Sequence, residues 1–167
     1  PEEKAKLPKL PWYLLPPQIR EMSVTKDQLE QLANESDFAI TVIGRRSGEF
    51  SDRKVDNDFT LAPSEHAFLE EITRMFHAKG KKVIAVLNVG GPIEMASWRS
   101  LPDAILLAWQ PGQEGGNAIA DLLTGKVNPS GKLPHSFPVT YSDVPSAKTF
   151  PGKELIGQAP LTTNPFG

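Results

Sequence analysis

Glu49 is the carboxylate best placed to do chemistry. It lies in the charged segment Gly44-Arg-Arg-Ser-Gly-Glu-Phe-Ser-Asp-Arg53, directly after the apolar run Phe38 to Ile43, and open parallel sheets bind ligands beyond the carboxyl ends of their strands. A carboxyl group there can give a proton to a leaving group or take one from water. A lone loop glutamate is more often simply solvated, so residue type by itself leaves both readings open. The neighbouring Arg45, Arg46, Asp52 and Arg53 read as surface ion pairs in preference to substrate contacts.

Other chemistries have weaker support. Gly112-Gln-Glu-Gly-Gly116 precedes a helical stretch, where free N–H groups favour an anion, yet its spacing fits neither G-x-G-x-x-G nor G-x-x-x-x-G-K-[ST]. Asp56-Asn-Asp58 has the opening of a calcium loop, but Leu61 and Ala67 stand where the glycine and the bidentate glutamate belong. His66, His77 and His135 are far apart and without ligand spacing, so no metal is expected. No serine has a G-x-S-x-G setting, and a chain without cysteine has neither thiol nucleophile nor thiolate zinc site. Trp98 and Trp109 are read as packing residues rather than ligand platforms.

The elements that must position Glu49 follow from periodicity and punctuation. Thr25-Lys-Asp-Gln28 is a capping box opening a helix with Leu29 and Leu32, and Phe38 to Ile43 is the first strand. A second helix is predicted from Ser64 to Lys79, with Phe68, Leu69, Ile72, Met75 and Phe76 at helical spacing and Gly80 at its C-terminal stop. Lys82 to Leu87 is a strand, Gly91 to Trp98 a short helix, Ala104 to Trp109 a strand and Gly112 to Leu123 a helix. Leu133 to Phe137 is a further candidate strand. Continuous apolar strands alternating with helices indicate a parallel sheet buried on both faces. The predicted class is α/β, a three-layer sandwich with a mostly parallel sheet.

Eleven of the 16 prolines lie in Pro1 to Pro17 or Pro134 to Pro165. This divides the chain into an extended Pro-rich segment over 1–22, an α/β domain over 23–138 and an irregular strap or linker over 139–167. With 18 Lys+Arg against 20 Asp+Glu and a net charge of -2, no basic patch suits nucleic acid. No apolar run reaches the ~20 residues that span a bilayer, and no membrane association is expected.

Several ordered blocks make a more specific match: SGE..DR after the first strand, GKKVIAVLNVG.PIE..SWR, DAILLAWQPGQEGG and NPSGKLP.SFP. From Val24 to about Gly152 the chain resembles the second, C-terminal α/β-sandwich domain of family 3 glycoside hydrolases of the β-glucosidase type, truncated relative to the family domain. Ser47, Gly48, Glu49, Asp52 and Arg53 match the family's SGEGYDR loop residue by residue, with Phe50-Ser51 in place of Gly-Tyr. The resemblance implies that Glu49 is the general acid/base of a retaining mechanism. The nucleophile would be an aspartate on a preceding (β/α)8 barrel that this chain lacks, and the substrate a β-glucoside or oligosaccharide.

No cofactor is implied, and the chain alone is predicted inactive. Phe50 is a candidate for stacking on a sugar face. PGQEGG and NPSGKLP become scaffold signatures, the glycines allowing helix to approach sheet. Two rivals stand beside this reading: a non-catalytic carbohydrate-binding or interface module, and a flavodoxin-like nucleotide binder using Gly112 to Gly116.

Overall fold

In the computed structural model, the structure describes residues 23–45 and 53–149. Helix α1 (Lys26–Glu35) begins where the sequence places it. The Thr25 hydroxyl accepts from Gln28 N–H at 3.3 Å, and Gln28 Oε1 accepts from Thr25 N–H at 2.9 Å. These reciprocal bonds satisfy two donors that a helix start otherwise leaves free. Leu29 and Ala33, one turn apart, face the core. The last carbonyls are capped from outside, by the Lys81 ammonium on Ala33 O at 2.8 Å and Asn34 O at 3.1 Å, a favourable charge at the negative end of the helix.

Strands β1 (Phe38–Gly44), β2 (Lys82–Asn88) and β3 (Ala104–Leu107) form a parallel sheet in the order β1-β2-β3. Register pairs Ala39 with Val83, Thr41 with Ala85 and Ile43 with Leu87. That face is covered by α2 (Pro63–His77), whose Leu69, Ile72, Met75 and Phe76 join it and α1 in one core. Gly80, at φ +69°, ends the α2 turn, letting Lys81 N–H reach back to Phe76 O at 2.9 Å; a side chain there would strain the left-handed backbone. The α/β class and the parallel sheet are as the sequence indicated.

Four local readings are corrected. β1 is buried on one face only: Phe38, Ile40 and Val42 are largely exposed, because no described helix lies over them. β3 stops at Leu107, since Trp109 turns off the strand at φ +54°. Gly91 to Trp98 is irregular and ends in a tight turn. There Glu94 N–H is drawn to Phe59 O at 2.7 Å, while the Glu94 carboxylate takes Ser97 N–H at 2.7 Å and the Ser97 hydroxyl at 2.6 Å. Trp98 is fully buried with Nε1–H on Glu94 O at 2.6 Å. Leu133 to Phe137 forms no strand; it runs as an irregular strap with Pro134 inside it and Pro138 just after it, His135 and Phe137 lying against Trp109 at centroid distances of 5.6 and 6.2 Å.

The glycines before α3 (Gly115–Leu123) serve a turn. The close approach at Gly115 is to the Pro111 ring rather than to the sheet: a Cβ there would lie 2.5 Å from Pro111 Cγ. Glu114 occupies the N-cap and accepts from Asn117 Nδ2 at 2.7 Å. Gly115→Ala is therefore expected to cost about 1–3 kcal/mol through overpacking against a stiff ring, measured as a fall in the urea midpoint. Gly116→Ala, which meets nothing within 4 Å, is the control and is expected to be close to neutral.

At the opposite end of the sheet Asp103 joins three elements. Its Oδ1 takes Lys82 Nζ at 2.8 Å, and its Oδ2 takes Val83 N–H and His77 Nε2, each at 2.8 Å. The Lys82 hydrogen bond, then those of Val83 N–H and His77, hold this carboxyl well below the usual carboxylate range. A pKa depressed by folding stabilises the fold above the unfolded value of ~4 and loses that contribution as pH falls towards the folded value. Asp103→Asn is thus expected to lower the urea midpoint at pH 7, with the gap to the parent narrowing below about pH 4. A gap constant from pH 7 to pH 2 would remove the charge from this account.

Candidate active site

The carboxyl end of β1 delivers the chain to Arg45, whose N–H donates to Asn88 O at 3.0 Å and so extends the β1–β2 ladder by one step. The Arg45 side chain turns inward. Its Nε donates to Asp58 O at 2.7 Å, Nη1 to Gly44 O at 2.8 Å and Glu65 Oε1 at 2.7 Å, and Nη2 to Glu65 Oε2 at 2.8 Å and Thr60 O at 3.4 Å. All five guanidinium N–H groups have partners. With its side chain only 6% exposed, Arg45 is an interior ion pair, which corrects its reading as a surface one. Burial of a guanidinium is tolerable here because a two-pronged carboxylate and three carbonyls replace its water.

The acceptor Asp58 belongs to a wide turn, Val55–Phe59, closed by Phe59 N–H on Lys54 O and Thr60 N–H on Val55 O, both at 3.0 Å. Asn57 sits at its apex with φ +62°, a conformation that asparagine tolerates better than most residues. This turn presents Asp58 to a second arginine. Arg53 Nε and Nη2 donate to Asp58 Oδ1 at 3.0 and 2.8 Å, Nη2 also approaches Asp58 O at 3.2 Å, and Nη1 donates to Pro92 O at 3.0 Å. A Cβ on Gly91 would come within 3.0 Å of Arg53 Nη1, so glycine leaves the room that the guanidinium uses.

Arg45 and Arg53 are the residues at which the SGE..DR segment leaves and rejoins the described structure, and both converge on Asp58. Glu49 and Phe50 themselves lie outside the described residues, as do Arg46, Ser47, Gly48, Ser51 and Asp52. A cleft of about 780 Å³ opens beside Arg53 and Lys54. Phe59 and Tyr141 meet edge to face across it, with centroids 5.9 Å apart, and the strap from His135 to Ser146 forms its far wall. Among the described residues no group of three or more His, Cys, Asp or Glu side chains could hold a metal ion. Two histidines do have carboxylate partners: His77 on Asp103, and His66 near Glu70 at 3.5 Å.

Sequence reasoning missed Asp58, Glu65 and the Phe59–Tyr141 wall. A signal for Asp58 was present in the spacing of Arg53 and Asp58 across a turn, but the Asp-Asn-Asp pattern drew attention to calcium. Glu65, 20 residues from Arg45, carried no local sign.

Comparison with known proteins gives the family. The family profile of the glycosyl hydrolase family 3 C-terminal domain matches residues 4–165. A periplasmic β-glucosidase of Salmonella typhimurium is 36% identical over 119 residues, covering 71% of this chain and 15% of that protein. A β-glucosidase of Ruminococcus albus is 34% identical over 137 residues, covering 81% of this chain and 14% of that protein. Among solved structures, β-glucosidase 3B from Thermotoga neapolitana in complex with α-D-glucose superposes with a TM-score of 0.78 at 50% identity, covering 83% of this chain and 19% of that one. The chain thus spans less than a fifth of the length of these relatives. With a profile match running almost end to end, this chain belongs to the family 3 glycosyl hydrolase C-terminal domains.

Proposed function

We propose that this chain supplies the general acid/base, Glu49, to a retaining β-glucosidase-type enzyme whose nucleophile, an aspartate, stands on a separate barrel domain. The observation that carries the reading is the placement of the SGE..DR ends. A segment matching the family's acid/base loop leaves from the carboxyl end of β1 and returns at Arg53, with both flanking arginines tied to one turn. Retaining glycosidases need two carboxyl groups about 5–5.5 Å apart, one to attack the anomeric carbon and one to protonate the leaving oxygen and then deprotonate water. Glu49 takes the second role.

In the first step protonated Glu49 gives its proton to the glycosidic oxygen as the aspartate forms the glycosyl bond. In the second, ionised Glu49 takes a proton from the water that breaks that bond. Enclosure by the barrel and the nearby negative nucleophile favour the protonated form at the start of the cycle. Phe50, next in sequence to the acid, stacks on a sugar face, and the substrate is a β-linked glucoside or oligosaccharide. The β-glucosidase names of the relatives support that class.

The two chemical steps separate in one experiment on the full-length enzyme. Glu49→Ala is expected to lower kcat/KM on cellobiose by about 10²–10⁴-fold, because an alkoxide leaving group needs the proton. The first step on a dinitrophenyl glucoside, whose leaving group departs as a stable anion, is expected to change little. The glycosyl-enzyme then persists for want of a base, and azide restores turnover with β-glucosyl azide as product. Near-normal hydrolysis of cellobiose, or no azide product, would overturn the assignment.

A further inference from the structure

Asp58 is the place where Arg45 and Arg53, the residues on either side of the Glu49 segment, meet. Its carbonyl accepts from Arg45 Nε at 2.7 Å and Arg53 Nη2 at 3.2 Å. Its Oδ1 takes the Arg53 fork at 2.8 and 3.0 Å, and its Oδ2 takes Lys54 N–H at 3.3 Å. The Asp58 side chain thus holds Arg53, while Arg45 is held by the carbonyl of the same residue. We infer that Asp58 is a positioning residue for the acid/base, its carboxylate fixing Arg53 at the return point of that segment; this rests on the reading of Glu49 given above.

The physical case lies in the difference between the two anchors. Arg45 also holds Glu65 and the carbonyls of Gly44 and Thr60, so it keeps its place if Asp58 is shortened. Among the described residues Arg53 has only Asp58 and Pro92 O as partners, and its side chain is 27% exposed at the edge of the cleft. Without the Asp58 carboxylate, Arg53 loses both bonds to Oδ1 and keeps, among the described residues, only the carbonyls of Pro92 and Asp58, so the return point four residues from Glu49 is held without an ion pair. The departure point is unchanged. The segment then loses its geometry at one end, which moves a carboxyl that must come within hydrogen-bond reach of the leaving oxygen. A misplacement of about 1 Å costs on the order of 10²-fold in rate.

The test uses the full-length enzyme with Asp58→Ala, Glu49→Ala and the double variant, and reads cellobiose against a dinitrophenyl glucoside. Asp58→Ala is expected to lower kcat on cellobiose by about 10–10²-fold with KM little changed, and to leave the first step on the dinitrophenyl substrate within about 3-fold. In the Glu49→Ala background the same substitution is expected to have no further effect on cellobiose, since there is no acid left to misplace. Arg53→Lys, which keeps the charge and loses the fork, is expected to reproduce the same selectivity in milder form and covers the case in which Asp58→Ala fails to fold.

Equal losses on both substrates, or effects of the two substitutions that simply multiply, would overturn the positioning role while leaving Glu49 as the acid. If Glu49→Ala itself does not discriminate between the substrates, both readings fail together.

Discussion

A buried arginine with every donor engaged is the constraint on which the rest of this domain turns. Arg45 joins the end of β1, the wide turn at Asp58 and the first turn of α2 through Glu65. Removing a guanidinium from water costs several kcal/mol, and only a full set of well-aligned acceptors offsets that. The arrangement therefore tolerates one geometry. Glu65 is itself held in place, because its Oε2 also accepts Ala62 N–H at 2.7 Å at the start of α2. The helix that covers the core face of the sheet is in this way locked, through one carboxylate, to the residue that precedes the acid/base segment. Lysine at position 45 would supply a charge but no planar fork, and the Glu65 pairing would be lost.

The two ends of the sheet are organised differently. At the amino end, Asp103 gathers Lys82, His77 and the Val83 amide in a solvent-facing cluster, where water screens each pair and the contribution is modest. At the carboxyl end the pairs are drawn inward and linked: Glu65 to Arg45, Arg45 to the Asp58 turn, the Asp58 turn to Arg53, and Arg53 to Pro92. Glu94, two residues beyond Pro92, in turn binds the Phe59 carbonyl and anchors buried Trp98. The linked pairs lie at the end of the sheet where open parallel sheets bind ligands, and where the proposed acid/base segment leaves β1.

What could be read from residues alone was whatever is local. The Thr25 capping box, Gly80 beyond α2 and the first three apolar strands each carry their signal within a few positions, and each is found in place, with α2 and β3 two residues shorter at their ends than predicted. The failures share a cause. Gly91 to Trp98 has a helical look, but a carbonyl from residue 59 takes the amide of Glu94. Leu133 to Phe137 was read as a candidate strand, but Pro134 within it, Pro138 just after it and the ring of Trp109 decide its path. Asp58 and Glu65 were illegible as site residues because their partners lie across the fold, and a long-range ion pair leaves no periodicity. Glu49 was legible only through the motif around it, since a single loop glutamate has no pattern of its own.

A two-domain active site places a particular demand on each half. If the nucleophile and the acid/base are held by different domains, the separation between them accumulates positional error from the barrel, from this domain and from the contact between the two. The tolerance is small, since a retaining pair works near 5–5.5 Å and proton transfer needs hydrogen-bond distance. A domain that contributes one carboxyl on a loop must then fix that loop's ends more tightly than loops are usually fixed. The convergence of Arg45 and Arg53 on one turn meets that demand with groups the chemistry does not consume. On the proposed reading, Glu49 is then left for proton transfer, while Asp58 and Glu65 hold the residues on either side of its segment.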